Sequence, residues 1–139
     1  MALISDDDPF LGAWELLPES SEYELGDPPA QGLYTISSDG DRYHFEIAWK
    51  TADGQRFESE FSGIPDGRPY AYEDSRVADA LSLTRVDESS LDSESFRAGV
   101  RLAHVRRALM EDGRMMRVTQ SGQAPGGETF QNISYYRKL

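Results

Sequence analysis

Leu11-Gly12-Ala13-Trp14-Glu15-Leu16-Leu17 is a short apolar run built around a Gly-x-Trp, and its place in the chain decides the fold. Behind it, from Gly32 to the end, the sequence reads as hairpin upon hairpin. Trp14, one of only two tryptophans, stands where a first strand enters a core. A sheet that curls back onto this first strand buries Trp14 and leaves no long edge exposed to other chains.

The turns that follow are marked by Asp-Gly pairs at Asp39-Gly40, Asp53-Gly54, Asp66-Gly67 and Asp112-Gly113. Asp-Gly between alternating segments is a strong hairpin signal, because glycine tolerates the positive φ of tight turns. Each turn is tested by whether it pairs apolar residues on one face. A two-residue turn at Asp39-Gly40 sets Ile36 opposite Tyr43 and Tyr34 opposite Phe45. The next strand then alternates, with Tyr43, Phe45, Ile47 and Trp49 inside and Arg42, His44, Glu46 and Lys50 outside. A three-residue loop, Ala52-Asp53-Gly54, pairs Trp49 with Phe57 and Phe45 with Phe61; a two-residue loop would set Lys50 against Phe57.

Further strands are predicted at 68–73, 80–87, 91–98, 101–111, 114–122 and 130–138. The stretch Val100–Met110 has some helical character, but it has strands for neighbours and no caps, so it reads as strand. Pro18 to Pro29 is polar, contains Gly26-Asp27-Pro28-Pro29, and reads as an irregular lid with at most one short helical turn. The expected architecture is all-β: a single up-and-down antiparallel β-barrel of about ten strands. It spans residues 1–139 as one domain, with 1–9 a flexible N-terminus.

Composition bounds the function. At 139 residues, with 38% hydrophobic and 11% aromatic residues, the chain holds one core and is not disordered. It has no cysteine, so disulfides, thiolate metal sites and a cysteine nucleophile are excluded. Its formal charge of −11 makes nucleic acid and anionic membrane surfaces poor partners. No apolar run is long enough to insert into a bilayer as a helix. The first residues lack the basic and apolar regions of a signal peptide, so the expected location is the cytoplasm, or an exported compartment if the native N-terminus was trimmed.

The Gly12-Ala13-Trp14 that opens the sheet and the Tyr135-Tyr136-Arg137-Lys138 that closes it resemble the calycins, the superfamily of lipocalins and fatty-acid-binding proteins. Within it the chain looks like small bacterial lipocalin-like domains. It carries their pattern in order as Gly12-Ala13-Trp14, Pro28-Pro29, Asp66-Gly67-Arg68-Pro69-Tyr70, Ser82-Leu83-Thr84-Arg85 and Asp112-Gly113-Arg114-Met115-Met116, with arginine replacing lysine in both Asp-Gly turns. The resemblance implies that a late arginine, here Arg137, packs over Trp14 as a cation–π contact closing the barrel. Fatty-acid-binding proteins place an Arg-x-Tyr on the last strand; here that segment is Ser134-Tyr135-Tyr136, which keeps the tyrosine and lacks the arginine. Their two-helix lid has no counterpart.

The inward aromatic set is Tyr34, Tyr43, Phe45, Trp49, Phe57 and Phe61, joined by Tyr70 or Tyr72 and, on the last strand, Tyr136. It suits either a filled core or an apolar cavity with phenolic anchors. If Asp112-Gly113 is a two-residue turn, Leu109 faces Met116 and Arg107 faces Val118, which puts Arg107 on the apolar face; a longer turn would flip the parity and expose it. Arg85 shares a face with Leu81 and Leu83. An arginine inside a barrel must be paired or meet a ligand anion, because its charge cannot be lost. The expected function is non-catalytic binding of a small hydrophobic or amphipathic molecule, with Arg85 and Arg107 as carboxylate anchors. The alternatives are a filled barrel serving as a protein-interaction or stress-related module, and a nitrobindin-type haem protein that would need His104 inside. No catalytic set, metal site or cofactor motif stands out. Asn132-Ile133-Ser134 matches a glycosylation sequon, but its strand placement argues against use.

Overall fold

Alternation of apolar and polar residues builds the wall of the molecule, and tight turns set its order. The computed structural model describes residues 3–72, 78–124 and 126–139. Its strands are β1 Gly12–Leu16, β2 Glu22–Tyr23, β3 Gln31–Asp39, β4 Arg42–Lys50, β5 Arg56–Gly63, β6 Tyr70–Ala71, β7 Ala80–Asp87, β8 Ser90–Arg97, β9 Val100–Met110, β10 Met115–Gln123 and β11 Thr129–Lys138. They form one antiparallel sheet in the order β5-β4-β3-β1-β11-β10-β9-β8-β7-β6, with β2 added onto β11. The sheet curls into a nearly closed up-and-down barrel. Its two ends approach through side chains: a Cβ placed on Gly63 of β5 would lie 2.9 Å from Leu83 Cδ1 of β7.

The first strand holds the central position expected of it, between β3 and β11. Only a 3₁₀ turn at Pro18–Ser20 and the two residues of β2 are regular in the segment read as a lid. The β4–β5 register is the expected one, Trp49 opposite Phe57 and Phe45 opposite Phe61. The β9–β10 register also matches, Leu109 opposite Met116 and Arg107 opposite Val118. Its connection is wider than a two-residue turn, however, with Glu111, Asp112 and Gly113 all at positive φ. The β3–β4 register differs: Ile36 faces Phe45 and Tyr34 faces Ile47, because Asp39 pairs with Arg42 and the tight turn is Gly40-Asp41. The slip is two residues, so the same side chains still point inward and the buried pattern is satisfied in either register. The strand expected over 68–73 shortens to Tyr70–Ala71, and Glu73 lies outside the described residues.

One end of the barrel is packed solid by Phe10, Trp14, Ile36, Tyr43, Phe45, Leu83, Leu91 and Met116, all essentially inaccessible to solvent. Residues 3–9, the described part of the N-terminus expected to be flexible, include defined contacts with this end. Ile4 N–H donates to Gly40 O at 2.9 Å, and Phe10 buries its ring under the sheet. Trp14 Nε1–H donates to Phe10 O at 3.0 Å, so the indole's polar edge is satisfied inside the core.

The cation over the indole is Lys138, whose Nζ lies 5.3 Å from the ring centroid, and not Arg137. The reason is parity. Lys138 pairs with Trp14 across β1–β11, whereas Arg137 pairs with Glu15 and points outward, its guanidinium 2.6 Å from the Glu15 carboxylate.

Candidate functional site: an interior cavity

Above the packed end the barrel is hollow. A cavity of about 510 Å³ opens between the two halves of the sheet, within the about 300–1,000 Å³ range of small-molecule pockets. Apolar wall is supplied by Ile47, Trp49, Phe61, Leu81, Val105 and Val118, hydroxyls by Ser59, Ser93, Ser95, Ser134, Tyr34 and Tyr136. Tyr23, Asp27 and Pro29 of the segment between β1 and β3 also line it, together with Thr51, Tyr72, Ala78, Glu94, Ala103, Gln120 and Asn132.

Arg107 is the positive charge in this wall, which also includes the acidic residues Asp27 and Glu94. It sits inward on β9 by the alternation that puts Leu109 and Val105 on the same face, and only 1% of it is exposed. Nε–H donates to the Tyr34 hydroxyl at 2.7 Å and one terminal nitrogen donates to Ser93 Oγ at 3.2 Å. The guanidinium carbon lies 4.7 Å from the Phe45 ring centroid, 5.6 Å from Tyr34 and 5.9 Å from Phe61. Aromatic faces stabilise a desolvated guanidinium, by about 2 kcal/mol in favourable cases, but they do not neutralise it. Among the described residues no carboxylate lies within salt-bridge distance of Arg107. The cavity therefore presents a buried positive charge whose protein partners are neutral.

Tyr136 stands beside it, its ring 5.3 Å from Tyr34 in an edge-to-face contact. Burial pushes its phenol far above the ordinary value, with the neighbouring Tyr34 and Tyr23 adding to the shift and Arg107 opposing it. Tyr136 is thus a neutral hydroxyl, able to donate to an anion.

The mouth is clasped from one side. Asn132 on β11 is buried; its Oδ1 accepts from the backbone N–H groups of Glu24 at 2.9 Å and Leu25 at 3.1 Å, and its Nδ2 donates to Leu25 O at 2.9 Å. Glu24 Oε1 accepts from Gln131 N–H at 2.6 Å. One amide side chain so pins the segment between β1 and β3 along the open end. The asparagine of the apparent sequon is a structural clasp.

Of the aromatic and arginine candidates, the structure brings Tyr34, Trp49, Phe61, Arg107 and Tyr136 together around the cavity. Phe45 lies beneath it in the packed core, stacked on Phe61 at 4.6 Å. Tyr43 and Arg85 belong to the closed end. Arg85 places one terminal nitrogen 2.5 Å from Asp8 Oδ2 and 2.6 Å from the Tyr43 hydroxyl, which itself donates to Asp8 at 2.7 Å. Burial and the adjacent Asp8 carboxylate push the Tyr43 phenol far up, against Arg85. Arg85 is therefore already paired and stands apart from the cavity. Phe57 stacks on Trp49 at 5.6 Å but is 44% exposed, at the start of the edge strand β5. Tyr70 is 41% exposed with its hydroxyl on Asp66, and Tyr72 is the tyrosine that lines the cavity. Ser93, Ser134 and Asn132 carried no sequence signal of a role in the cavity beyond their inward parity on β8 and β11.

Neither histidine lines the cavity. His104 is on the outer face, Nε2 2.9 Å from Asp92 Oδ2, and His44 is on the outer face between Glu46 and Glu60. A haem-bearing barrel with His104 as its inward ligand is not what this register builds.

No protein-family model and no curated protein matches the sequence. Solved structures do match the fold. A Schistosoma mansoni fatty acid binding protein in complex with arachidonic acid superposes with a TM-score of 0.62 at 15% identity, over 94% of this chain and 96% of that one. The apo lipid binding protein 8 of Caenorhabditis elegans gives 0.62 at 14% identity, over 99% and 100%. Zebrafish ileal bile-acid-binding protein complexed with cholic acid gives 0.57 at 16% identity, over 94% and 99%. The fold is a calycin barrel. At such identities the likeness is one of architecture, a similar barrel over nearly the whole length of the chain. Between β1 and β3 its described regular structure is a 3₁₀ turn and the short strand β2.

Proposed function

We propose that this calycin barrel binds a small amphipathic molecule, apolar along most of its length and anionic at one end, without chemical conversion. The observation that carries the reading is Arg107: a guanidinium buried in the wall of a cavity, held by Tyr34 and Ser93 and without a carboxylate within salt-bridge distance among the described residues. Leaving a charge buried and unneutralised is costly, and a ligand carboxylate or comparable anion offsets that cost. Tyr136 and Ser134 supply neutral hydroxyls on β11, two strands along the sheet from Arg107, and Ile47, Trp49, Leu81, Val105 and Val118 supply the apolar wall. That structurally similar barrels are complexed with arachidonic acid and cholic acid supports the same ligand class.

The rival reading, a filled barrel acting as an interaction module, fits the solid closed end but leaves the cavity above it without a role. Native mass spectrometry of gently purified protein, followed by solvent extraction, separates the two. A co-purifying amphipathic acid, or uptake of one added, supports the carrier. A bare mass together with failure to take up any long-chain acid contradicts it.

A further inference from the structure

We propose that His44, Glu46 and Glu60 form a binding site for a divalent transition-metal ion on the outer wall of the barrel, independent of the cavity. The placement follows from the sheet. His44 and Glu46 are two apart on β4 and so share the outward face, and Glu60 on β5 lies directly opposite Glu46. His44 Nε2 is 3.0 Å from the nearer Glu60 oxygen and 3.5 Å from Glu46 Oε1. One ligand atom from each of the three lies within 4.8 Å of the others.

As a protein-only arrangement this is unfavourable. Two carboxylates directly opposite on neighbouring strands repel, in a chain that already carries a charge of −11. His44 Nε2 faces both acids and has at most one hydrogen to give. The cross-strand neighbours of His44 are Ser37 and Ser62, and Thr35 lies opposite Glu46 on β3. These small side chains leave the imidazole free to lean diagonally onto Glu60. A cation about 2.0–2.2 Å from each donor requires donors roughly 3–4 Å apart, which rotation of two exposed glutamates provides. One nitrogen and two carboxylate oxygens, with water completing the shell, suit zinc and its neighbours; the imidazole disfavours magnesium and calcium. Bound there, the ion ties β5, an end strand of the sheet, to β4.

Zinc chloride titrated into tag-free protein by calorimetry, with native mass spectrometry for stoichiometry, tests the site. The expected result is one equivalent bound, undisturbed by excess magnesium, with a rise in the unfolding temperature on adding zinc. His44→Ala and the isosteric Glu60→Gln should each weaken binding beyond the about 10–100-fold typical of losing an outer-shell partner. His104→Ala, which removes the only other histidine, should leave it unchanged. Absence of a one-to-one complex, zinc affinity retained in His44→Ala, or affinity lost in His104→Ala overturns the proposal.

Discussion

Arg107 Nε–H donates to the Tyr34 hydroxyl across the barrel, 2.7 Å from strand β9 to strand β3. The pair fixes the guanidinium plane against Phe45 and orients its remaining N–H groups. Tyr34→Phe removes one neutral hydrogen bond to a charged group while keeping the ring. The expected effect is about a tenfold loss of affinity for a long-chain carboxylate, corresponding to about 1.5 kcal/mol, with little change for an uncharged analogue. Displacement of a fluorescent fatty-acid probe reads both.

The clasp made by Asn132 controls how the cavity opens. Asn132→Ala leaves two backbone N–H groups and one carbonyl without their partner, a local cost of about 1–3 kcal/mol. Amide exchange at Glu24 and Leu25 should accelerate, and stopped-flow measurements should show faster ligand entry and exit. Asn132→Asp keeps the acceptor and loses the donor, so its exchange rates should fall between.

At the closed end, Trp14 fills the space beneath the cavity with no exposed surface. Trp14→Ala should destabilise the protein by about 3–5 kcal/mol in urea unfolding. Trp14→Phe keeps most of the volume and loses the bond to Phe10 O, and should cost markedly less.

Acid sensitivity should centre on Asp92, which accepts from Arg106 at 2.7 and 2.8 Å and lies 2.9 Å from His104 Nε2. Burial raises its carboxyl, but the hydrogen bonds and charges of Arg106 and His104 outweigh that and hold it below the usual value. A carboxyl depressed on folding stabilises the native state above its unfolded pKa of about 3.9, and this contribution fades as pH falls through the folded value. Unfolding temperatures of the wild type should therefore drop below about pH 4 more steeply than those of Asp92→Asn. Arg106 is nearly half exposed, so solvent screening limits the effect to about 1 kcal/mol.

The fold was legible because alternation over β4, β5, β9 and β10 fixes which side chains face inward, and only loop lengths of one parity in each hairpin join apolar to apolar. The same logic placed Arg107 inside the barrel. Parity is blind to register by twos, which is why β3 slides against β4 with no change in what is buried. It also gives a side chain's face and not its height along the barrel. Tyr43 and Trp49 share the inward face of β4, yet one belongs to the packed end and the other to the cavity. Arg85 was visible as inward, but its partner Asp8 arrives from a segment with no periodicity. Lys138 and Arg137 differ by one residue, and only the β1–β11 register decides which covers Trp14.

Calorimetric titration of a long-chain carboxylate and its corresponding alcohol, into wild type and Arg107→Leu, tests the central claim most directly. Wild type should prefer the carboxylate by about 10–100-fold, the worth of a hydrogen-bonded charge pair, and Arg107→Leu should bind both alike. Equal affinity of the wild type for acid and alcohol, or an unchanged preference in Arg107→Leu, would contradict Arg107 as the anchor of an anionic ligand.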